Sequence, residues 1–223
     1  MPGGYGGEVK NFIRLTGLGT ERIYFCLMTA EHFNRLIQSR RSTYPPQYSG
    51  APVPDAVVKQ ILENANCAPT HKRTEPWRFI VFCGEGRKRL ARLQAMVYKT
   101  VTTADGTFKE NRYHNLLSKP LESSHIILVY MKRDPARSVP EVEEIGAVFC
   151  AIENMYLTAA AYGVGCYLST GGITYFKEAN QAFGLAPDDR IIGFFHLGMP
   201  GGELPPPSTR RPVQDKVTWV SEA

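Results

Sequence analysis

The chain has 223 residues, 43% of them hydrophobic and 21% charged, with a formal net charge of +5. That length suits one domain with one good core, and no apolar run approaches the ~20 residues of a membrane span. The positive charge is scattered in small clusters rather than gathered into a stripe, which argues against nucleic acid and for a small anion such as a phosphate. The five cysteines form no CxxC pair, and the five histidines form no pair at ligand spacing, so no metal site is expected. The thiols read as reduced and buried, and the simplest placement is cytosolic.

Residues 1–27 are Gly-rich, then irregular, and read as an extension of uncertain status ahead of a domain spanning 28–223. Thr29 can cap a first helix carrying Phe33, Leu36 and Ile37 on one face. It runs into Arg40, Arg41 and Ser42 and is broken by "YPPQYSGAPVP". A second helix starts at Pro54–Asp55, with a stripe of Val57, Val58, Ile61, Leu62 and Ala65, and Pro69 closes it. The polar stretch "THKRTE" leads into a strand over 77–83, and "CGEGRKRL" turns into a helix over about 86–99.

A loop and a short helix fill 100–122, and "SSHIILVYMK" reads as a strand buried on both faces. The longest helix is predicted over 141–162, where apolar residues from Ile145 to Ala159 recur at helical spacing. Few charges follow Glu153, so this helix is expected to be central and buried. A short strand then enters "STGGIT", a helix covers 175–184, and "RIIGFFHLGMP" is another strand. "GGELPPPSTRRPV" is an extended arm too long to pack only on its own domain, and "DKVTWV" reads as a last short strand. Helices outnumber and separate the strands, which favours an α+β or α/β sandwich with one sheet between helices.

Four polar clusters stand at element ends: Arg40–Arg41–Ser42, His71 to Glu75, Ser169 to Gly172, and Arg210–Arg211. Arginines bind phosphate oxygens in bidentate fashion, and they also complement a helix C-terminus. Small residues such as Gly171 and Gly172 let a flat ring or an oxyanion approach the main chain, or simply make a turn. "GEGRKR" lacks the glycine spacing of a dinucleotide fingerprint and has no GK[ST], and no GxSxG or HExxH appears.

Taken in order, "RRS" at 40–42, "APTHKRTEPWRFIVF" at 68–82, "EEIGAVFCAIENMYLTAAAYGVGCYLSTGG" and "GFFHLGMP…RRPV" resemble the nitroreductase family of FMN-dependent oxidoreductases. The likeness covers roughly residues 29–220 and is nearest to the compact bacterial members. It implies an α+β, three-layer α/β/α sandwich with a mostly antiparallel sheet, and a homodimer whose C-terminal arm embraces the partner. FMN is expected at the dimer interface. Arg40 and Arg41 are expected at its phosphate and pyrimidine edge, Ser42 on the phosphate or ribityl end, and Arg210, or Arg211 in the adjacent register, at the phosphate. Thr170, Gly171 and Gly172 are expected along the isoalloxazine, with His71 and Glu75 coming from the other chain. The implied activity is ping-pong hydride transfer from NADH or NADPH to FMN and on to a nitroaromatic, quinone or enone, with the flavin rather than a side chain carrying the chemistry. A flavin-binding storage or sensor protein and a reductive dehalogenase are the alternatives.

Phe108, Tyr113 and His114 are candidates for stacking on a substrate above the flavin. Glu75 departs from the family pattern, which has Gln before Pro-Trp. An ionised Glu accepts but cannot donate, so it is expected either to pair with Lys72 or Arg73, to be protonated, or to donate no bond to the flavin.

Overall fold

The structure, a computed structural model, describes residues 29–202, 206 and 209–221. The chain divides into two units, Met1–Ser39 and Arg40–Ala223. In the first, α1 (Ala30–Ser39) starts at Thr29, whose Oγ1 accepts the His32 N–H at 3.3 Å, and an i,i+4 pair of Glu31 and Arg35 closes at 2.6 Å on its surface.

The second unit is built on a four-stranded antiparallel sheet of order β1-β2-β4-β3, comprising β1 (Trp77–Cys83), β2 (His125–Met131), β3 (Gly165–Ser169) and β4 (Arg190–Gly198). The two central strands are the continuous apolar runs of the sequence, because both of their faces are covered. On one face α2 (Asp55–Ala65) and α5 (Glu141–Ala161) pack over Ile127, Val129 and Phe195; on the other α3 (Glu85–Ala104), α4 (Glu110–Ser118) and α6 (Lys177–Ala182) pack over Ile126, Leu128 and Phe194. Helices on both faces of one sheet make the expected three layers.

One irregularity positions the site. The β2–β4 register slips between Val129 and Tyr130, leaving Ile192 of β4 without an opposite residue. The bulge turns Ile192 toward the α5 side and Ile191 toward the α6 side, which re-aims the end of β4 where β3 stops. Beyond β2, a fully buried Glu144 receives the Arg133 guanidinium and the Asp134 N–H, the latter at 2.9 Å, and so pins the β2–α5 connection to the first turn of α5. A buried carboxylate is tolerable only when paired and hydrogen-bonded, as here.

Three expectations are corrected. Residues 215–220 form no strand: a single 3-10 turn, Val213–Lys216, is followed by extended, exposed chain that pairs with no strand among the described residues. Of the described cysteines only Cys166 is buried, whereas Cys67, Cys83 and Cys150 are exposed; Cys26 lies outside the described residues. Cys83 ends an edge strand, and Cys150 projects from the outward side of α5. That helix is central, yet its outer face leaves Val142 71% and Phe149 47% exposed, because the sheet and α2 cover only its inner face.

Candidate functional site

Residues 40–43 run along the free edge of β3. The Thr43 N–H donates to Cys166 O at 2.9 Å, adding one rung to the sheet, and Tyr48 locks this rung by donating its hydroxyl to Thr43 O at 2.8 Å. Upstream of Thr43 the chain peels off the edge. Leu168, whose N–H is thereby left without a strand partner on that side, donates instead to the Tyr156 hydroxyl of α5 at 2.8 Å. The Tyr156 ring is fixed edge-on against Phe195, with centroids 4.9 Å apart. Over its other surface lies the Arg40 guanidinium, 5.1 Å from the ring centre, and the Ser42 side chain bonds to Tyr156. Arg41 turns toward the C-terminal arm and donates from Nε to Pro206 O at 3.2 Å.

Burial pushes the Cys166 thiol up to about 12, although Arg40 acts in the opposite direction, and burial also raises the Tyr156 phenol. Both groups are therefore neutral at pH 7. The cluster presents the Arg40 cation over a neutral base, with Arg41 turned toward the arm.

β3 leads straight into the small-residue loop. Nothing lies within 4 Å of the position a Cβ on Gly171 would take, so its backbone faces open space. Gly172 has φ of +70°, a left-handed conformation that suits glycine, and Leu116 of α4 stands 4.0 Å from where its Cβ would be. The loop is braced by the Thr174 hydroxyl, which donates to Gly171 O at 2.9 Å. Thr170 is exposed and lines a cavity of about 890 Å³, walled by Phe149 of α5, Tyr175 and Phe176 of the loop, and the bulged Ile191–Ile192.

The 70–75 segment sits elsewhere on the chain, at the start of α5. His71 Nδ1 donates to Glu143 Oε2 at 2.5 Å and Lys72 Nζ to Ser138 O at 2.9 Å. Lys72, Arg73 and Glu75 all have positive φ, of 52°, 55° and 42°. Three non-glycine residues in that region within four positions is strain held by the surrounding bonds, a pattern that clusters at functional sites. Glu75 is exposed, forms no ion pair among the described residues, and lines a smaller cavity of about 300 Å³ with Trp77 and Arg78. Of the alternatives expected for it, pairing with Lys72 or Arg73 is not formed among the described residues, and Lys72 donates to Ser138 O instead.

The other predicted residues are placed as follows. Phe108 packs between Tyr98 and Tyr113, at 5.9 and 6.0 Å between centroids, on the flank of the α3–α4 core; His114 is exposed and pairs with Glu110 at 2.9 Å. α4 does reach the loop at Gly172, but through Leu116, a residue with no polar signal in the sequence. Arg210 and Arg211 lie four and five residues beyond Pro206 on the exposed arm. Within this chain, therefore, Arg40–Ser42 lie beside β3 against Tyr156, Ser169–Gly172 continue from the end of that strand, the arm returns to Arg41, and His71–Glu75 is tied to the first turn of α5. Sequence reasoning missed Tyr156 and Glu143; Tyr156 looked like one more residue of an apolar stripe.

A Ser124–His125–Asp55 string, at 3.0 and 3.1 Å, has the residue types of a hydrolytic triad. Its serine oxygen already accepts the Val53 N–H at 2.8 Å, and neither Ser124 nor His125 lines the cavities at Thr170, Glu75 or Tyr113, so the string reads as a staple between α2 and β2. Among the described residues no helix is long and apolar enough to cross a membrane, and no group of three His, Cys, Asp or Glu side chains is placed to hold a metal ion.

The described residues thus make a three-layer sandwich with a cationic segment beside β3 and a small-residue loop at the end of that strand. The family model described as "Nitroreductase family" matches residues 37–199, and the chain belongs to that family. It is 32% identical over 184 residues to the "Putative NAD(P)H nitroreductase YfhC" of Bacillus subtilis, covering 82% of this chain and 91% of that one. Among solved structures it is similar to a nitroreductase-like family protein from Bacillus cereus, with a TM-score of 0.74 and 28% identity over 87% of this chain and 99% of that one. It also shares the fold of a Desulfovibrio desulfuricans nitroreductase solved in complex with FMN, with a TM-score of 0.63 and 24% identity over 85% and 97% of the two chains.

Proposed function

We propose that the protein is an FMN-dependent NAD(P)H oxidoreductase that works as a homodimer in the cytosol. The observation that carries this is the placement of Arg40–Ser42 beside β3, the strand that leads into the open Gly171 backbone and the large cavity at Thr170. A flavin mononucleotide needs a cationic cradle at one end and approachable backbone along a flat ring at the other, and the residues present fit both needs. Bound FMN supplies two-electron chemistry, accepting hydride from NAD(P)H and delivering it to a second substrate such as a nitroaromatic, quinone or enone.

The chain's own residues bind and orient. Arg40, Arg41 and Ser42 hold the phosphate, with Arg210 or Arg211 added from the arm. The backbone N–H groups of Thr170 to Gly172 would hold the ring and stabilise the charge that reduction places on it. Phe149, Tyr175 and Ile191 would give the acceptor's room apolar walls. The open cavity favours turnover over storage.

Support for the dimer comes from uncovered apolar surface. Val142, Phe149 and Tyr162 along α5 are 71, 47 and 51% exposed, and Trp219 and Val220 at the end of the arm are 89 and 87% exposed. Apolar surface of this extent calls for a partner. A second copy also brings its own His71 and Glu75 to the site, from which those residues stand apart within one chain.

Anaerobic addition of NADH or NADPH to the purified protein tests the reading. Bleaching of a visible flavin band is expected. A yellow protein that neither nucleotide bleaches would favour the storage alternative.

A further inference from the structure

We propose that Tyr156 is the positioning residue that gives the site its grip on the flavin phosphate, and so its preference for FMN over riboflavin; this rests on the FMN reading above. Four contacts meet on this one side chain. Its hydroxyl accepts the Leu168 N–H at 2.8 Å, at the point where residues 40–42 leave the edge of β3. Its ring is clamped by the fully buried Phe195, 4.9 Å away at 77°. The Arg40 guanidinium rests 5.1 Å over that ring, and Ser42 bonds to the same residue.

The consequence follows from side-chain entropy and electrostatics. A free arginine samples many rotamers, and each must be frozen when an anion binds. A ring face attracts a guanidinium, most strongly where solvent is partly excluded, and Arg40 is half-buried. Tyr156 therefore pre-orders Arg40 and Ser42 before any ligand arrives, and pre-ordering raises affinity without adding a contact to the ligand. Because α5 and β3 are both core elements, the platform is rigid. It acts on groups assigned to the phosphate, and the ring-facing loop at Gly171 has its own brace in Thr174. The effect is thus confined to ligands that carry the phosphate.

The test is the affinity of the flavin-free full-length protein for FMN and for riboflavin, by fluorescence quenching. Tyr156→Leu is expected to weaken FMN about tenfold to thirtyfold and to change riboflavin less than about threefold. Tyr156→Phe keeps the ring and is expected to weaken FMN only about threefold to fivefold. Arg40→Ala should cost about tenfold or more in the native background but less than about threefold on top of Tyr156→Leu, since the two act as one unit. Equal losses for FMN and riboflavin in both Tyr156 variants would overturn the proposal and make the residue merely structural, as would unchanged FMN affinity. A native protein that binds neither flavin overturns the FMN reading itself, and this appears before any variant is made.

Discussion

His71 Nδ1 and Glu143 Oε2 lie 2.5 Å apart and tie the strained 70–75 segment to the first turn of α5. The neighbouring Glu144 is buried and fixed by Arg133, so Glu143 is held on rigid backbone. Both partners of the His71–Glu143 pair are about half exposed, with side-chain exposures of 57 and 42%, so its stability contribution is limited to about 1 kcal/mol. Its effect is local order. Glu143→Ala is expected to lower the melting temperature by no more than about 4 °C, yet to speed amide exchange in residues 70–75 markedly. Unchanged exchange there would show that the pair positions nothing.

Glu75 carries an exposed carboxylate with no cation paired to it among the described residues. If it faces the flavin of a second copy, its charge opposes reduction. Glu75→Gln is expected to raise the two-electron potential by about 10–30 mV, equivalent to roughly 0.5–1.4 kcal/mol. Potentiometry with a reference dye reads this directly, and an unchanged or lower potential removes Glu75 from the site.

Gly193 lets the end of β3 come close: a Cβ there would stand 2.7 Å from Ser169 O. That atom is backbone and cannot swing away, so Gly193→Ala must displace the strand that carries Ser169 into the 170–172 loop. The expected cost is about 1–3 kcal/mol, a fall of about 3–10 °C by calorimetry, together with weaker flavin binding. Gly172→Ala meets no clash but must hold φ of +70°, which costs about 1–2 kcal/mol. A Gly193 variant as stable as the native chain would mean that β3 and β4 are not so closely apposed.

His196 is buried on β4 and shares a 2.9 Å hydrogen bond between its Nδ1 and Ser123 Oγ. Burial lowers its pKa to about 4 from 6.5. The folded chain therefore favours the neutral ring, and the unfolded chain binds the extra proton between those values. Stability from this group is complete above pH 6.5 and falls as pH drops toward 4, by about 3 kcal/mol in all. Thermal melts from pH 7 to 4.5 should show a flatter profile for His196→Gln than for the native protein. Parallel profiles would contradict this assignment.

Much of this fold was legible because the signals were local. "HIILVY" and "RIIGFFHLG" are continuous apolar runs that only a doubly covered strand explains, and the stripe from Ile145 to Ala159 fixes α5. Arg40–Ser42 and Thr170–Gly172 stood out as candidates because paired guanidiniums and adjacent glycines are conspicuous at element ends. What escaped depends on tertiary neighbours. A tyrosine at helical spacing reads as packing, and only the fork between β3 and residues 40–42 shows that Tyr156 underlies Arg40. Lys72, Arg73 and Glu75 give no sequence sign of positive φ. The helix over 141–161 is apolar almost all round, so its pattern did not say which side the sheet would leave uncovered, and Cys150 was misread as buried. Residues 217–220 pair with no strand among the described residues, so their β-rich composition was insufficient to make one.

The central claim is that the Arg40–Ser42 cradle and the open Gly171 loop form a flavin mononucleotide site. It is tested most directly by measuring the flavin content of the full-length protein after saturation with FMN and gel filtration. FMN is expected to be retained at close to one equivalent per chain, and most of it to be lost in Arg40→Ala. A native protein that leaves the column colourless, or an Arg40→Ala variant that keeps its full complement, would contradict it.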